Sequence, residues 1–388
     1  MIALYLAPFV VTLLILIYKF INRFLEENRI SSYFSYLIGI LLFSGIVFST
    51  LGFVLGSSEL KRFFTKLSFY WLGILLYFVL SFTLSLIVTS LIRLIKRRKK
   101  LNYIYDKVAL VFVLLFTVLM STFGIINAHK LHVTNYDIKV DKKSNLDQLN
   151  ICLIADLHLG YNNGLDEVKE MVDKINSLDS DLILIAGDVF DNEYEALEEP
   201  DELAHLLSSM KSKYGTYAVL GNHDVDEKIL MGFTFAKSKD VSIDERMLEF
   251  INMSEINVLY DEYINIDNVY IYGRPDKEKI NFYNNERKSV DEICEQLNPN
   301  NISIILEHEP VDAEALSEYD IDLYLNGHTH NGQIWPGTST IKLIWDNAYG
   351  YKQYKNTHNI VTSGVGLFGP NMRLGSKAEI CNIEVKFY

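Results

Sequence analysis

Residues 181–191 read Asp-Leu-Ile-Leu-Ile-Ala-Gly-Asp-Val-Phe-Asp. The apolar run Leu182 to Ala186 gives way at once to a glycine and two carboxylates, Asp188 and Asp191. A continuous apolar run of this length suits a strand buried on both faces, as in layered α/β proteins. Leu149 to Ala155 ends in the same way at Asp156-Leu157-His158, and Tyr217 to Leu220 ends at Gly221-Asn222-His223-Asp224. Ile302 to Leu306 ends at Glu307-His308-Glu309, and Leu323-Tyr324-Leu325 ends at Asn326-Gly327-His328-Thr329-His330. Helical apolar spacing fits between strands, from Val168 to Leu178 and from Leu203 to Met210. One Asp-, Asn- or Gly-rich cluster reads as an ordinary turn. A series of them, each carrying Asp, Asn or His just past a strand's carboxyl end, lies along the edge where open α/β sheets place ligands.

Carboxylate, amide and imidazole donors suit manganese, iron or zinc. Two divalent metals about 3.5–4 Å apart need a shared ligand. A carboxylate can bridge and an imidazole with one lone pair cannot, so Asp188 is the natural bridge. Di-iron oxygen chemistry uses similar donors, but it is housed in helical bundles with Glu-x-x-His pairs, which these strand-end positions do not match.

The ordered set Asp-x-His, Gly-Asp-x-x-Asp, Gly-Asn-His-Asp, a lone His and Gly-His-x-His over residues 156–330 resembles the calcineurin-like metallophosphoesterase superfamily. Gly327 to Ile334 and the later Arg373-Leu374-Gly375 and Glu379-Ile380 look like its bacterial membrane-associated subgroup. The resemblance covers roughly the last 240 residues. It implies a four-layer α/β/β/α sandwich and a phosphoester or pyrophosphate hydrolase with a dinuclear metal centre. It further implies that Asp156, His158, Asp188 and His330 hold one metal, manganese being one option, and that Asp188, Asn222, His308 and His328 hold the other. His223 would remain unligated and protonate the leaving oxygen or steady the phosphoryl charge, with Asp191 orienting its ring. The residues leave other roles open. Glu307 and Glu309 tune the site or are solvated loop acids, and Asp224 caps a turn or supports the site. Arg274 contacts a substrate phosphate or makes a surface salt bridge. Tyr349, Tyr351 and Tyr354 line the mouth or rest on lipid. His129, His132, His205 and His358 belong to no motif.

Upstream, the stretches 1–18, 33–56, 67–92 and 108–128 contain no Asp, Glu, Lys or Arg. Crossing a hydrocarbon core takes about 20 helical residues, so four transmembrane helices are expected. The organisation is then 1–128 membrane region, 129–145 linker and 146–388 catalytic domain. Intramembrane ionisable residues mark ion and proton paths, and their absence here argues against a transporter. The connector with Arg93, Lys96, Arg97, Arg98, Lys99, Lys100 and Lys107 is the most basic. Lys19, Arg23 and Arg29 belong on the same side, and Lys61, Arg62 and Lys66 on the other. Basic loops stay cytoplasmic, which puts the catalytic domain on the outer face of a multi-pass plasma-membrane protein.

The net charge of −13 hides two halves of opposite sign. Residues 1–128 carry 13 Lys/Arg and 4 Asp/Glu; the rest carry 23 and 45. An acidic domain repels nucleic acid, whose binding rests on neutralised phosphates. The expected partners are the lipid bilayer and a phosphoester substrate, amphiphilic because of the anchoring: a lipid-linked or cell-envelope phosphoester. The alternative is a non-catalytic membrane receptor or scaffold with a metal-stabilised domain. Cys152, Cys294 and Cys381 match no zinc or disulfide spacing and read as small buried hydrophobes.

Overall fold

The computed structural model describes residues 2–27, 32–56, 59–97, 103–227, 229–230, 233–234, 243–277, 287–298 and 300–388. Arg29 and Arg98 to Lys100 of the basic connectors lie outside them.

The N-terminal part is helical: α1 (Ile2–Glu27), α2 (Ser32–Val54), α3 (Glu59–Ile95) and α4 (Tyr103–Ala128). Among the described residues three stretches are long and apolar enough to cross a membrane: Ser32–Val54, Glu59–Ile95 and Ile104–Ala128. The helix α1, with the shortest uncharged run, is not among them. Leu14, Ile17, Ile21 and Leu25 recur at helical spacing on α1 and pack with Leu42 and Trp71. The Trp71 indole donates to the Leu41 carbonyl at 2.8 Å. It lies on Gly45, where a β-carbon would fall 1.9 Å from the ring, the use of small residues common between membrane helices. Ser81 and Thr117 join α3 to α4 by a hydroxyl pair at 3.1 Å.

The rest is built on two six-stranded sheets. The elements in chain order are β1 (Leu131–Val140), β2 (Gln148–Ile154), α5 (Leu165–Asn176), β3 (Leu182–Ala186), α6 (Pro200–Ser208), β4 (Thr216–Val219), the two-residue pair β5 (Ile229–Leu230) and β6 (Phe233–Thr234), α7 (Glu245–Met253), β7 (Ile256–Val258), β8 (Glu262–Ile266), β9 (Val269–Arg274), α8 (Val290–Gln296), β10 (Ile302–Glu307), α9 (Ala313–Ser317), β11 (Leu323–Asn326), α10 (Gly337–Thr340), β12 (Gly350–Tyr354), β13 (Thr357–Val361) and β14 (Ala378–Phe387). The first sheet runs β1-β14-β2-β3-β4-β7 and the second β12-β13-β11-β10-β9-β8. Strands β2, β3, β4 and β7 are parallel, as are β13, β11, β10 and β9. Their carboxyl ends therefore share an edge in each sheet.

Strand alternation sorts the core into layers. Leu149, Ile151 and Leu153 of β2 face the second sheet, while Cys152 and Ile154 face α5, α6 and α7. Tyr272, Ile305 and Tyr324 on the far face of the second sheet pack on Ile293 of α8 and Leu316 of α9. The order is helix, sheet, sheet, helix, as the sequence led one to expect. Helix α5 buries Val168, Met171, Val172 and Ile175, and its Glu167 carboxylate accepts the Gly164 amide at 3.0 Å, closing the first turn.

One boundary differs. Residues 129–145 were expected to be a linker, yet Leu131–Val140 is an edge strand paired in parallel with β14. Ile138 and Val140 are buried while Asp137 and Lys139 are exposed, a period of two that belongs to a half-covered strand.

Candidate metal centre

The site is assembled from chain reversals at the carboxyl ends of β2, β3, β4, β10 and β11. Asp156, His158, Asp188, His328 and His330 all have positive φ, between 42° and 69°. That region disfavours side chains and is held only where the surroundings enforce it, often at functional sites. Here the enforcement is visible. The Asp156 amide donates to Gly187 O at 2.9 Å and the His158 amide to Asp188 O at 3.0 Å, fixing the β2 and β3 ends together. Asp224 accepts the amides of Asp188, Phe190 and Gly221 at 2.7–3.0 Å, fixing β3 to β4. Gly187 and Gly221 permit the closeness: a β-carbon would lie 2.6 Å from His308 Nδ1 at the first and 2.2 Å from Asp188 Oδ1 at the second.

Among the described residues three sets of donors converge, one of them His158, Asp191 and His223; the other two hold the expected ligands. Asp156, His158 and His330 offer atoms that lie within 4.8 Å of one another, as do Asp188, His308 and His328. In the first set the Nε2 atoms of His158 and His330 are 3.0 Å apart. In the second, Asn222 Oδ1 lies 3.1 Å from both His308 Nε2 and His328 Nδ1. Asp188 Oδ2 faces both sets, 3.7 Å from His158 Nε2 and 3.1 Å from His308 Nε2.

These donors fit divalent metal ions. Ring nitrogens pointed at each other can share at most one proton, so buried imidazoles gathered in this way are short of donors and rich in lone pairs. Burial, reinforced by the charge on His308, holds His328 down to about 3. Burial and then His158 hold His330 well below the usual histidine range. Neutral rings are the form that ligates metals. Burial works against ionisation of Asp188, but His308 and His223 outweigh it and hold the carboxyl well below its ordinary value. His308 is correspondingly raised, because Asp188 overcomes its burial. His308 Nδ1 sits 2.7 Å from the Ala186 carbonyl, which turns Nε2 into the site.

A family model described as calcineurin-like phosphoesterase matches residues 149–332. Those residues are a calcineurin-like phosphoesterase domain. The similar proteins include an "Uncharacterized metallophosphoesterase" of Helicobacter pylori, 29% identical over 252 residues, 64% of this chain and 61% of that protein. A "Transmembrane protein with metallophosphoesterase domain" of Danio rerio is 29% identical over 281 residues, 69% of this chain and 60% of that one. An "Uncharacterized metallophosphoesterase" of Aquifex aeolicus is 28% identical over 272 residues, 69% of this chain and 97% of that protein. The chain thus spans about 60% of the length of the first two relatives.

The phosphoesterase domain brings together every residue that the motifs singled out, with one change of partner. Asp191 was expected to orient His223. Its Oδ1 instead lies 3.5 Å from His158 Nδ1. The His223 ring pairs through Nδ1 with Asn192 Oδ1. Asn192 also donates its amide to His223 O at 3.2 Å and its Nδ2 to Val225 O at 3.4 Å. The neighbouring side chain takes the orienting place because the backbone turns there, with φ +64° at Asn192. Nothing in the spacing marks Asn192, and only asparagine's tolerance of positive φ hinted at it.

Arg274 is not a surface ion pair. It is 4% exposed, with its Nη1 3.2 Å from Glu307 Oε2 and 2.5 Å from Asp312 Oδ2. Arg287 also pairs with Glu307, and Tyr324 OH donates to it at 2.8 Å. Glu307 is therefore a buried anchor beneath His308. Two aromatic rings went unnoticed in the sequence. Phe368 lies 4.7 Å from the His223 ring and 5.5 Å from that of His158, and Trp345 lies 5.4 Å from His328, centroid to centroid. Arg373 is fully buried and donates to the carbonyls of Ser363, Gly364 and Gly366. The Gly366 amide in turn donates to Asp156 O at 2.8 Å. Cys152 and Cys381 are buried, and all three cysteines are free.

Proposed function

We propose that the chain is a membrane-anchored hydrolase of phosphoester or pyrophosphate bonds that works with two divalent cations. Asp156, His158, Asp188 and His330 would hold one, and Asp188, Asn222, His308 and His328 the other. The observation that carries this reading is the Asp188 carboxylate facing both donor sets. Bound there, the cations supply positive charge to the phosphoryl oxygens and lower the pKa of nearby water. The protein's own part is to hold the donors in rigid reversals and to present an imidazole. His223 keeps one proton on Nδ1 against Asn192 Oδ1, which turns Nε2 to the site; in the imidazolium form the second proton, on Nε2, is the one that would pass to the leaving oxygen. Burial lowers its pKa, despite the pull of Asp188, and so makes the imidazolium a stronger acid and a less populated one at neutral pH. The substrate we favour is a lipid-linked or cell-envelope phosphoester, met on the outer face of the plasma membrane.

The full chain, purified in nanodiscs with added manganese, should hydrolyse bis-p-nitrophenyl phosphate. His223→Ala should lower kcat about 10²- to 10⁴-fold, the span of general acid–base contributions, with metal content unchanged. Asp188→Ala should lose metal. A metal-loaded wild type without turnover on mono- and diesters would favour a non-catalytic scaffold, and metal loss in His223→Ala equal to that in Asp188→Ala would remove His223 from its role.

A further inference from the structure

Leu343 and Ile344 are 85% and 73% exposed. The other exposed large apolar side chains described after residue 128 lie between 41% and 60%. Comparable exposure recurs in the helices apolar enough to cross a membrane, as at Leu94 (74%) and Ile95 (78%). Soluble surfaces rarely leave adjacent large aliphatics this open without a partner for them.

The local charge points to the kind of partner. Ile334 to Trp345 contains one cation, Lys342, and no acid, within a region carrying 45 acids. Asp346, the next residue, is engaged by Lys352 Nζ at 2.7 Å and by Tyr354 OH at 2.5 Å. Two aliphatics, a lysine and a tryptophan form the combination that rests on a lipid surface, with hydrocarbon contact beside an anionic head group.

The stretch is also tied to the chemistry. Trp345, directly after Ile344, lies against the ring of His328. The Ile344 and Trp345 amides donate to Ile341 O at 3.0 and 3.1 Å, which makes Ile341 to Trp345 one turn. Thr329 Oγ1, between His328 and His330, donates to Ala348 O at 2.6 Å and pins the returning chain. The aliphatics thus begin one residue from a ring on the donor cluster.

We propose that Leu343 and Ile344 form a lipid-facing lip of the site, which takes the hydrocarbon of a phosphoester-bearing lipid while its phosphate reaches the cluster. This rests on the phosphoesterase reading and names the substrate class for it. The bilayer is at hand, because the same chain carries three helices able to cross one. A free, non-lipid phosphoester would gain nothing from the lip, whereas a tail lying on it would bury methylenes.

The test uses the full chain in phosphatidylcholine nanodiscs with manganese and a series of p-nitrophenyl alkyl phosphates: methyl, butyl and octyl. Water attacks phosphorus, the bond to the aryl oxygen breaks, and p-nitrophenolate and the alkyl phosphate leave. Burying a methylene fully is worth about 0.8 kcal/mol, roughly fourfold, so half-burial predicts about a twofold rise in kcat/KM per methylene. The double variant Leu343→Ser/Ile344→Ser should flatten that rise while keeping wild-type turnover of bis-p-nitrophenyl phosphate. Any partition of probe into the nanodisc is common to both proteins. Equal slopes in the two proteins would overturn the lip. Equal slopes together with a changed oligomeric state would assign the patch to contact between copies instead. Absence of bis-p-nitrophenyl phosphate turnover in the wild type would sink the phosphoesterase reading itself.

Discussion

The His223 pair shows how far a single residue can be read. The motif spacing named the donors because metal chemistry restricts which side chains can stand at each strand end. It named the wrong partner for His223, because orientation of a ring depends on the turn's path and not on residue type. Asn192 holds the His223 loop at its carbonyl, its ring and Val225. Asn192→Gly removes the side chain without straining the positive φ and should lower kcat about tenfold with little change in KM. Asn192→Asp keeps the acceptor and should recover part of the loss. If His223 protonates the leaving group, the loss in Asn192→Gly should grow as p-nitrophenyl is replaced by phenyl esters. In a His223→Ala background the same change should add almost nothing. A uniform loss across leaving groups, persisting in that background, would make Asn192 a general support of the fold.

At the scale of elements, the parallel strands were legible because both faces are covered and their sequences are apolar without interruption. β1 was not, because an edge strand is half polar and its short alternating run resembles a connector. Glu379 on β14 explains what that edge depends on. It is fully buried and accepts Thr134 Oγ1 of β1 at 2.6 Å, the Ser363 amide at 3.1 Å and Tyr349 OH at 3.1 Å, with Lys377 Nζ at 3.2 Å. Burial alone would raise its pKa, but the Thr134 and Ser363 hydrogen bonds and Lys377 outweigh it, so the folded value is depressed. A depressed carboxyl stabilises the fold above its unfolded pKa, near 4.3, and that stability is lost as pH falls through the lower folded value. Glu379→Gln should therefore cost about 2 kcal/mol at neutral pH, the scale of hydrogen bonds to a charged group. The gap between wild type and variant should close below about pH 4. Thermal unfolding followed across pH checks this, and a gap constant down to pH 3 would mean that the carboxylate charge is not what matters.

For the whole molecule, the change from long uncharged runs to short runs ending in acids and histidines was visible as a change of period. A helix that must satisfy its backbone within a bilayer needs about 20 apolar residues, whereas a covered strand needs only a handful, so the two halves cannot be confused. Sidedness is a different kind of property, written in the connectors. Lys107 lies in the first turns of α4, at the end of the basic stretch that begins at Arg93, and Lys355 directly follows β12. Basic loops resist translocation, so the proposed outward placement of the acidic half predicts opposite labelling of these two sites. In intact cells, with Cys294 replaced by Ser, Lys355→Cys should react with a membrane-impermeant maleimide. Lys107→Cys should react only after permeabilisation. The reverse pattern would put the phosphoesterase domain in the cytoplasm and move the proposed lipid substrate to the inner leaflet. The lysines that follow α4, Lys130, Lys139, Lys142 and Lys143, would then have acted as the stronger retention signal. Lys142 already weighs less in that contest, since its charge is committed to Asp322 at 3.0 Å within the folded domain.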